Sequence, residues 1–154
     1  MKEHVIDRTG WGDGPWSEEP DREQWRTKAG LPGLIVRSVT GGNLCGYVAV
    51  PPGHPAHGKG YDDVDVEVHG GLTYASMCRE DTPICHVPEP GEPADVYWLG
   101  FDCAHAWDIM PAMAARERAM GLPSIGDGSE HYWRMADVRA EVESLAEQLA
   151  GVTA

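Results

Sequence analysis

The sequence predicts an α+β fold: an antiparallel or mixed sheet of about four to six strands with a C-terminal amphipathic helix packed on one face. Two apolar runs, at 34–39 and 44–50, are separated by a turn containing Gly41 and Gly42, which is typical of a β-hairpin. Between Met135 and Leu149 the apolar residues recur at steps of three and four, which predicts a helix with one apolar stripe.

Two further strands are expected after the hairpin. Residues 64–69 alternate strictly, with three valines on one face and Asp65, Glu67 and His69 on the other. A fourth apolar run, 95–101, leads directly into Asp102 and Cys103. We expect the C-terminal helix to pack on the valine face of the sheet, which leaves the polar face free for a ligand.

The remaining segments predict loops, one short helix and an irregular arm. Segments 51–60 and 76–95 contain several prolines and glycines, which disfavour helices and central strands. Segment 111–120 is rich in Ala, Met, Arg and Glu and predicts a helix that ends at Gly121. We expect a single domain over 1–154, with 1–30 an irregular N-terminal arm held by its tryptophans.

Composition and charge favour a cytoplasmic protein that binds neither nucleic acid nor membranes. The formal net charge is −13, and no cluster of Lys and Arg offers a surface for phosphate backbones. No apolar stretch approaches the roughly 20 residues of a transmembrane helix, and the N-terminus lacks an apolar leader. We therefore expect all four cysteines to be reduced thiols, although Cys78 and Cys85 are near enough to pair if their segment loops.

Polar residues that can carry chemistry gather where the third and fourth predicted strands end. His69 ends one strand, and Asp102, Cys103 and His105 follow the other, with Asp108 just beyond. If the two strands are neighbours, these side chains meet. Three interpretations follow: a divalent metal such as zinc held by His69, Asp102 and His105, a Cys103 nucleophile with a histidine base, or a binding pocket without chemistry.

Other residues extend the predicted site towards a ligand. Gly70 and Gly71 leave room for close approach beside His69, Glu67 shares its polar face, and His54 lies in a loop that would cover it. The same residue types also have ordinary structural roles, which the sequence leaves open. An aspartate caps turns, a free cysteine behaves as a small buried hydrophobe, and a histidine satisfies a backbone carbonyl.

Three segments are distinctive in combination: GYVAVPPGHP at 46–55, HGGLTYA at 69–75 and GFDCAHAWD at 100–108. With them the chain resembles a family of small, uncharacterised proteins of actinobacteria and their bacteriophages. The resemblance implies no catalytic residues. It implies that the predicted site residues His54, His69, Asp102, Cys103 and His105 lie in the family's signature segments, and it makes an anti-defence role conceivable.

The function that these patterns favour is a small hydrolase-like or ligand-processing enzyme. Its site would consist of His69, Asp102, Cys103 and His105, with or without a divalent metal. The alternative is a non-enzymatic protein that binds a small polar molecule or a host protein. Convergence of polar groups in a concave pocket would favour the enzyme, and an exposed apolar patch would favour the binding protein.

Overall fold

The predicted hairpin forms the centre of a five-stranded antiparallel sheet. The structure is a computed structural model that describes residues 5–79, 81–86, 88–122 and 130–152. The strands are β1 (Arg22–Arg26), β2 (Pro32–Arg37), β3 (Leu44–Val50), β4 (Tyr74–Met77) and β5 (Tyr97–Asp102). They lie in the order β1-β2-β3-β5-β4, and every neighbouring pair is antiparallel. The α+β fold predicted from the sequence is confirmed.

Helix α1 (Pro111–Ala119) and helix α2 (Met135–Ala150) occupy the last third of the chain, as the sequence predicts. The apolar stripe of α2 packs on one face of the sheet against β2 and β3. A side chain at Gly46 on β3 would collide with Phe101 and Val142, so the missing Cβ lets the helix approach the sheet. The side chains that α2 buries there are Val138, Val142, Leu145, Ala146 and Leu149.

The prediction of a strand at 64–69 is wrong, although the predicted alternation of packed valines with exposed polar residues is seen at 64–68. These residues form no strand, and the three valines pack against the core that α2 shares with the sheet. Side chains of α2 take the hydrogen bonds that a neighbouring strand would have taken. Gln148 pairs with both the N–H and the C=O of Glu67, and Glu141 accepts the N–H of His69 at 2.7 Å. Period-two alternation identifies an extended segment, and it does not identify that segment's neighbour.

The N-terminal arm, expected to be irregular over 1–30, contributes the edge strand β1. Trp11 is buried with Ile6 and Ala112, so the arm also packs on helix α1. Trp25 lies on β1, packs against the main core and donates from its indole to Glu143 of α2. Charged residues between the tryptophans obscure this strand in the sequence, because an edge strand tolerates them.

Buried Arg37 joins three parts of the chain. Its side chain is fully buried and donates to Asp21 of the arm, to the C=O of Gly42 in the hairpin turn and to the hydroxyl of Tyr132 before α2. Glu19 completes the group, because it accepts from the Tyr132 hydroxyl and faces Arg37 at 3.4 Å. Burial raises the pKa of Asp21, but hydrogen bonds from Ile6, Arg8 and Arg37 outweigh it and hold that pKa below its ordinary value.

The second face of the sheet is covered by the segment that follows β4. Cys78 and Ile84 of that segment pack against the apolar cluster on this face, and His86 contacts the ring of Trp98.

Cys78 and Cys85 form a disulfide with Cα atoms 5.0 Å apart, so the expectation of four reduced cysteines is wrong. Their segment loops back on itself, which brings the two within disulfide distance. Within the described ranges, no helix has the length and apolar character needed to cross a membrane.

Substitution of Arg37 by Met is expected to lower the free energy of unfolding by about 3–5 kcal/mol, because the largely buried carboxylates of Asp21 and Glu19 would lose the buried cation that they share. Arg139→Met is the matched control. Arg139 pairs with Glu23 but is 42% exposed, so its loss should cost less than about 1 kcal/mol. Urea unfolding monitored by circular dichroism gives both values. Equal losses in the two variants would contradict a structural role for the buried charge.

Candidate metal centre

His69, His105 and Asp108 converge on one point at the end of strand β5. His69 Nε2 lies 2.9 Å from Asp108 Oδ2, and His105 Nδ1 lies 2.7 Å from the same oxygen. The backbone N–H of His105 donates to it as well, at 3.0 Å. The prediction that His69 lies beside the segment after β5 is thus correct, but the carboxylate at the centre is Asp108.

Asp108 is a buried, ionised acceptor. Its side chain is 1% exposed. Burial raises its pKa, but hydrogen bonds from His69 and from both the backbone and the ring of His105 prevail and hold the pKa below the ordinary aspartate value. An ionised carboxylate only accepts, so both ring nitrogens must donate to it. When the two imidazoles are neutral, His69 Nδ1 and His105 Nε2 are left as basic nitrogens.

Two tryptophans flank the histidine pair. The ring of Trp133 lies 4.0 Å from that of His69, and Trp107 stacks on His105 at 5.4 Å with an interplanar angle of 12°. Backbone hydrogen bonds from His131 to Trp107 and from Ile109 to His131 join the segment before α2 to the turn after β5. Trp107 is 58% exposed, whereas the side chains of His69 and His105 are 11% and 20% exposed.

Gly70 allows the two histidines to approach each other. Their ring centroids are 4.9 Å apart, and a Cβ at Gly70 would lie only 2.0 Å from His105 Nε2. Gly70 also has a φ of +70°, a conformation that side chains rarely adopt. The following Gly71 has a similar φ of +82°, but a Cβ there would meet nothing within 4 Å. Of the two predicted ligand-binding glycines, only Gly70 shapes the cluster.

Asp102, predicted as a ligand and catalytic residue, lies beside the cluster and not within it. Its Oδ1 is 3.8 Å from His105 Nε2, which is beyond hydrogen-bond distance. The carboxylate accepts from the Thr73 hydroxyl at 2.9 Å and from the N–H of Ala104 at 3.1 Å. These bonds hold Asp102 as the cap of the turn that carries His105, which is one of the ordinary roles considered for it.

Cys103 does not fit the role of nucleophile. It is 1% exposed and belongs to the apolar core between the sheet and α2. Burial, followed by the negative potential of its neighbours, strongly raises the pKa of its thiol, whereas a nucleophilic cysteine requires a lowered one. Because side chains alternate along the strand, the residue after Asp102 points into the core.

His54 and Glu67, both predicted to contact a ligand, lie near the other end of helix α2. His54 Nε2 is 2.8 Å from the C=O of Leu149, and its Nδ1 accepts the N–H of Ala56. It therefore fastens the proline-rich loop to the end of the helix and covers no site. Glu67 bonds Gln148 through its backbone and has an exposed side chain.

The cluster has the composition and spacing of a metal site. One ligand atom from each of His69, His105 and Asp108 lies within 4.8 Å of the other two. In the part of the chain that the structure describes, this is the one group of three His, Cys, Asp or Glu side chains that meets this condition. The group could hold a metal ion. Asp108 was missing from the predicted ligands, although its spacing of three from His105 fits a tight turn that returns the carboxylate to the ring.

Gly70→Ala is expected to lower the free energy of unfolding more than Gly71→Ala does. Both changes carry the left-handed strain of about 1–2 kcal/mol, but only the first also displaces His105. Histidine side-chain NMR signals should report the difference, with the His105 and His69 signals shifting in Gly70→Ala alone. Equal shifts in the two variants would show that the rings do not rely on this close approach.

Comparison of the chain with protein-family models, with curated proteins and with solved structures found no match in any of the three searches.

Proposed function

We propose that the protein holds a divalent transition-metal ion of the zinc class at His69, His105 and Asp108 and uses it in hydrolytic or related ligand-processing chemistry. The observation that carries the proposal is the convergence of two imidazoles and one buried carboxylate. Catalytic zinc sites typically have three ligands of these types and leave one position open. The metal and the reaction both belong to the proposal.

The electrostatics of the group suit a cation. Asp108 is ionised and almost fully buried, and each ring nitrogen that faces it carries a proton that an ion would replace. Within the described ranges, no Lys or Arg bonds any of the three side chains. Cys103 offers no ligand, because its sulfur is buried in the apolar core. The donor set is therefore nitrogen and oxygen alone.

Nearby groups position the candidate ligands. Glu141 holds the backbone of His69, and Trp133 covers one side of its ring. Asp102 lies 3.8 Å from the outer nitrogen of His105, where a small movement would let it orient that ring, as carboxylates often do behind metal-bound histidines. When bound, an ion of this class supplies Lewis acidity and lowers the pKa of water.

A metal-free role has one specific observation in its favour. The 2.7 Å bond between Asp108 and His105 Nδ1 fixes the imidazole tautomer and leaves Nε2 as a proton acceptor. A carboxylate orients a general base in this way in many hydrolases. In that case hydrolysis of a probe ester such as p-nitrophenyl acetate would survive EDTA, whereas the metal proposal requires that EDTA abolish it and that zinc restore it.

The test of the metal proposal is zinc retention by purified, dialysed protein, measured by elemental analysis. We expect about one ion per chain in the wild type, and Asp108→Asn and His105→Gln should weaken binding more than 100-fold because each removes a ligand. Asp102→Asn should keep the ion and lose at most about tenfold in affinity, as expected for a residue behind the ligands. His131→Gln, at a 65% exposed histidine, is the neutral control.

Two results would contradict this assignment of ligands. One is a wild-type protein that retains no zinc, cobalt or manganese after exposure to each ion. The other is an Asp102→Asn variant that loses the ion as fully as Asp108→Asn does, which would restore the ligand set predicted from the sequence.

A further inference from the structure

His86 is a buried histidine whose ring forms no hydrogen bond with the residues that the structure describes. Its side chain is 5% exposed, and both ring nitrogens lack a partner among those residues. An unpaired buried polar group costs about 1–3 kcal/mol, so two on one ring call for an explanation. His86 precedes β5, at the end of that strand opposite to His105 and Asp108, and does not belong to the proposed metal centre.

Two adjoining cavities meet at this ring. Their volumes are about 130 Å³ and about 80 Å³, and both are lined by Arg26, Pro32, His86 and Glu92. The larger one also has an apolar wall formed by Leu31, Pro51, Pro93 and Val96. A water molecule occupies about 30 Å³ in the liquid, so the larger cavity has room for about four waters or a molecule of comparable size.

The charges around His86 favour an uncharged occupant. Glu92 Oε2 lies 3.5 Å from His86 Nε2 and would repel an anion. Arg26 is paired with Glu92, and Arg22 bonds the C=O of Cys85, so two guanidinium groups oppose a cation. Burial first, and then these two arginines, lower the pKa of His86, which keeps the ring neutral. A neutral imidazole presents one donor and one acceptor.

We propose that the cavity beside His86 is a second binding site, which takes a small neutral molecule that carries a hydrogen-bond donor, an acceptor and a short aliphatic part. A primary amide fits this description. The two ring nitrogens point in different directions, so an amide bonds the one that faces the larger cavity, through either its N–H or its C=O, and its alkyl group contacts the wall of proline, leucine and valine. The ring of Trp98 lies 5.3 Å from that of His86, so its indole signal reports on changes at the His86 ring.

The probes that test this proposal are propionamide and propionate, which have nearly the same shape and differ in charge. Titration of the wild-type protein is followed through the NMR signals of the His86 ring and the Trp98 indole. We expect saturable shifts with propionamide, with an apparent Kd on the order of millimolar, and at least tenfold weaker binding of propionate. Equal or stronger binding of propionate would overturn the proposal. The absence of any saturable shift would overturn it too, since the cavity would then hold only water.

A variant isolates the contribution of the ring nitrogens. His86→Phe keeps a ring beside Trp98 and removes both nitrogens, and it should weaken propionamide binding at least tenfold. His131→Phe, at an exposed histidine, should bind as the wild type does. Unchanged binding in His86→Phe would refute the role of the imidazole. If that variant does not fold, the comparison of the two probes on the wild type still decides the question.

Discussion

The buried charge of Arg37 is the constraint on which the arrangement of the chain depends. It can be buried only because Asp21, Glu19, Tyr132 and the C=O of Gly42 surround it, and these groups come from distant parts of the sequence. Since the guanidinium group of Arg37 would be a buried charge without these partners, it is satisfied only when all three segments are in place together. Arg37 thereby ties the N-terminal arm, the hairpin and the entry to α2 to one another.

The geometry of the candidate metal centre depends on this network. Tyr132, which bonds Arg37, lies between His131 and Trp133. His131 forms the backbone hydrogen bonds that hold the turn of Asp108, and Trp133 packs on the ring of His69. The three candidate ligands therefore lie on loops that are fixed by buried contacts. Such fixed placement is what allows a site to hold its ligands close together before an ion binds.

Sequence patterns predicted the elements whose formation depends on residues close together in the chain. The hairpin, strand β5 and helix α2 follow from turn glycines and from apolar periods of two and of 3.6. The burial of Val64, Val66 and Val68 was predicted correctly, but their segment bonds helix α2 and not a neighbouring strand. Alternation does not specify which element supplies the hydrogen bonds. Strand β1 was missed because an edge strand can carry charges.

The sequence predicted where the cluster lies, but it identified only some of the residues that form it. The rings of His69 and His105 lie in contact because the two extended segments that carry them end close together. The sequence predicted this proximity. Asp108 and not Asp102 contacts the histidines, and Cys103 lies in the core. Both outcomes depend on the direction of the side chains around one turn. Alternation along β5 could have indicated that Cys103 faces the core. The spacing of three between His105 and Asp108 could have indicated the contact with the His105 ring, but nothing in the sequence indicated the contact of Asp108 with His69.

X-ray absorption spectroscopy of the zinc-loaded protein is the most direct test of the proposed centre. We expect a first shell of nitrogen and oxygen at about 2.0–2.1 Å, with the outer scattering of imidazole rings and no sulfur at about 2.3 Å. The imidazole signal should diminish in His105→Gln. A sulfur shell, or an oxygen shell without imidazole, would contradict a centre formed by His69, His105 and Asp108.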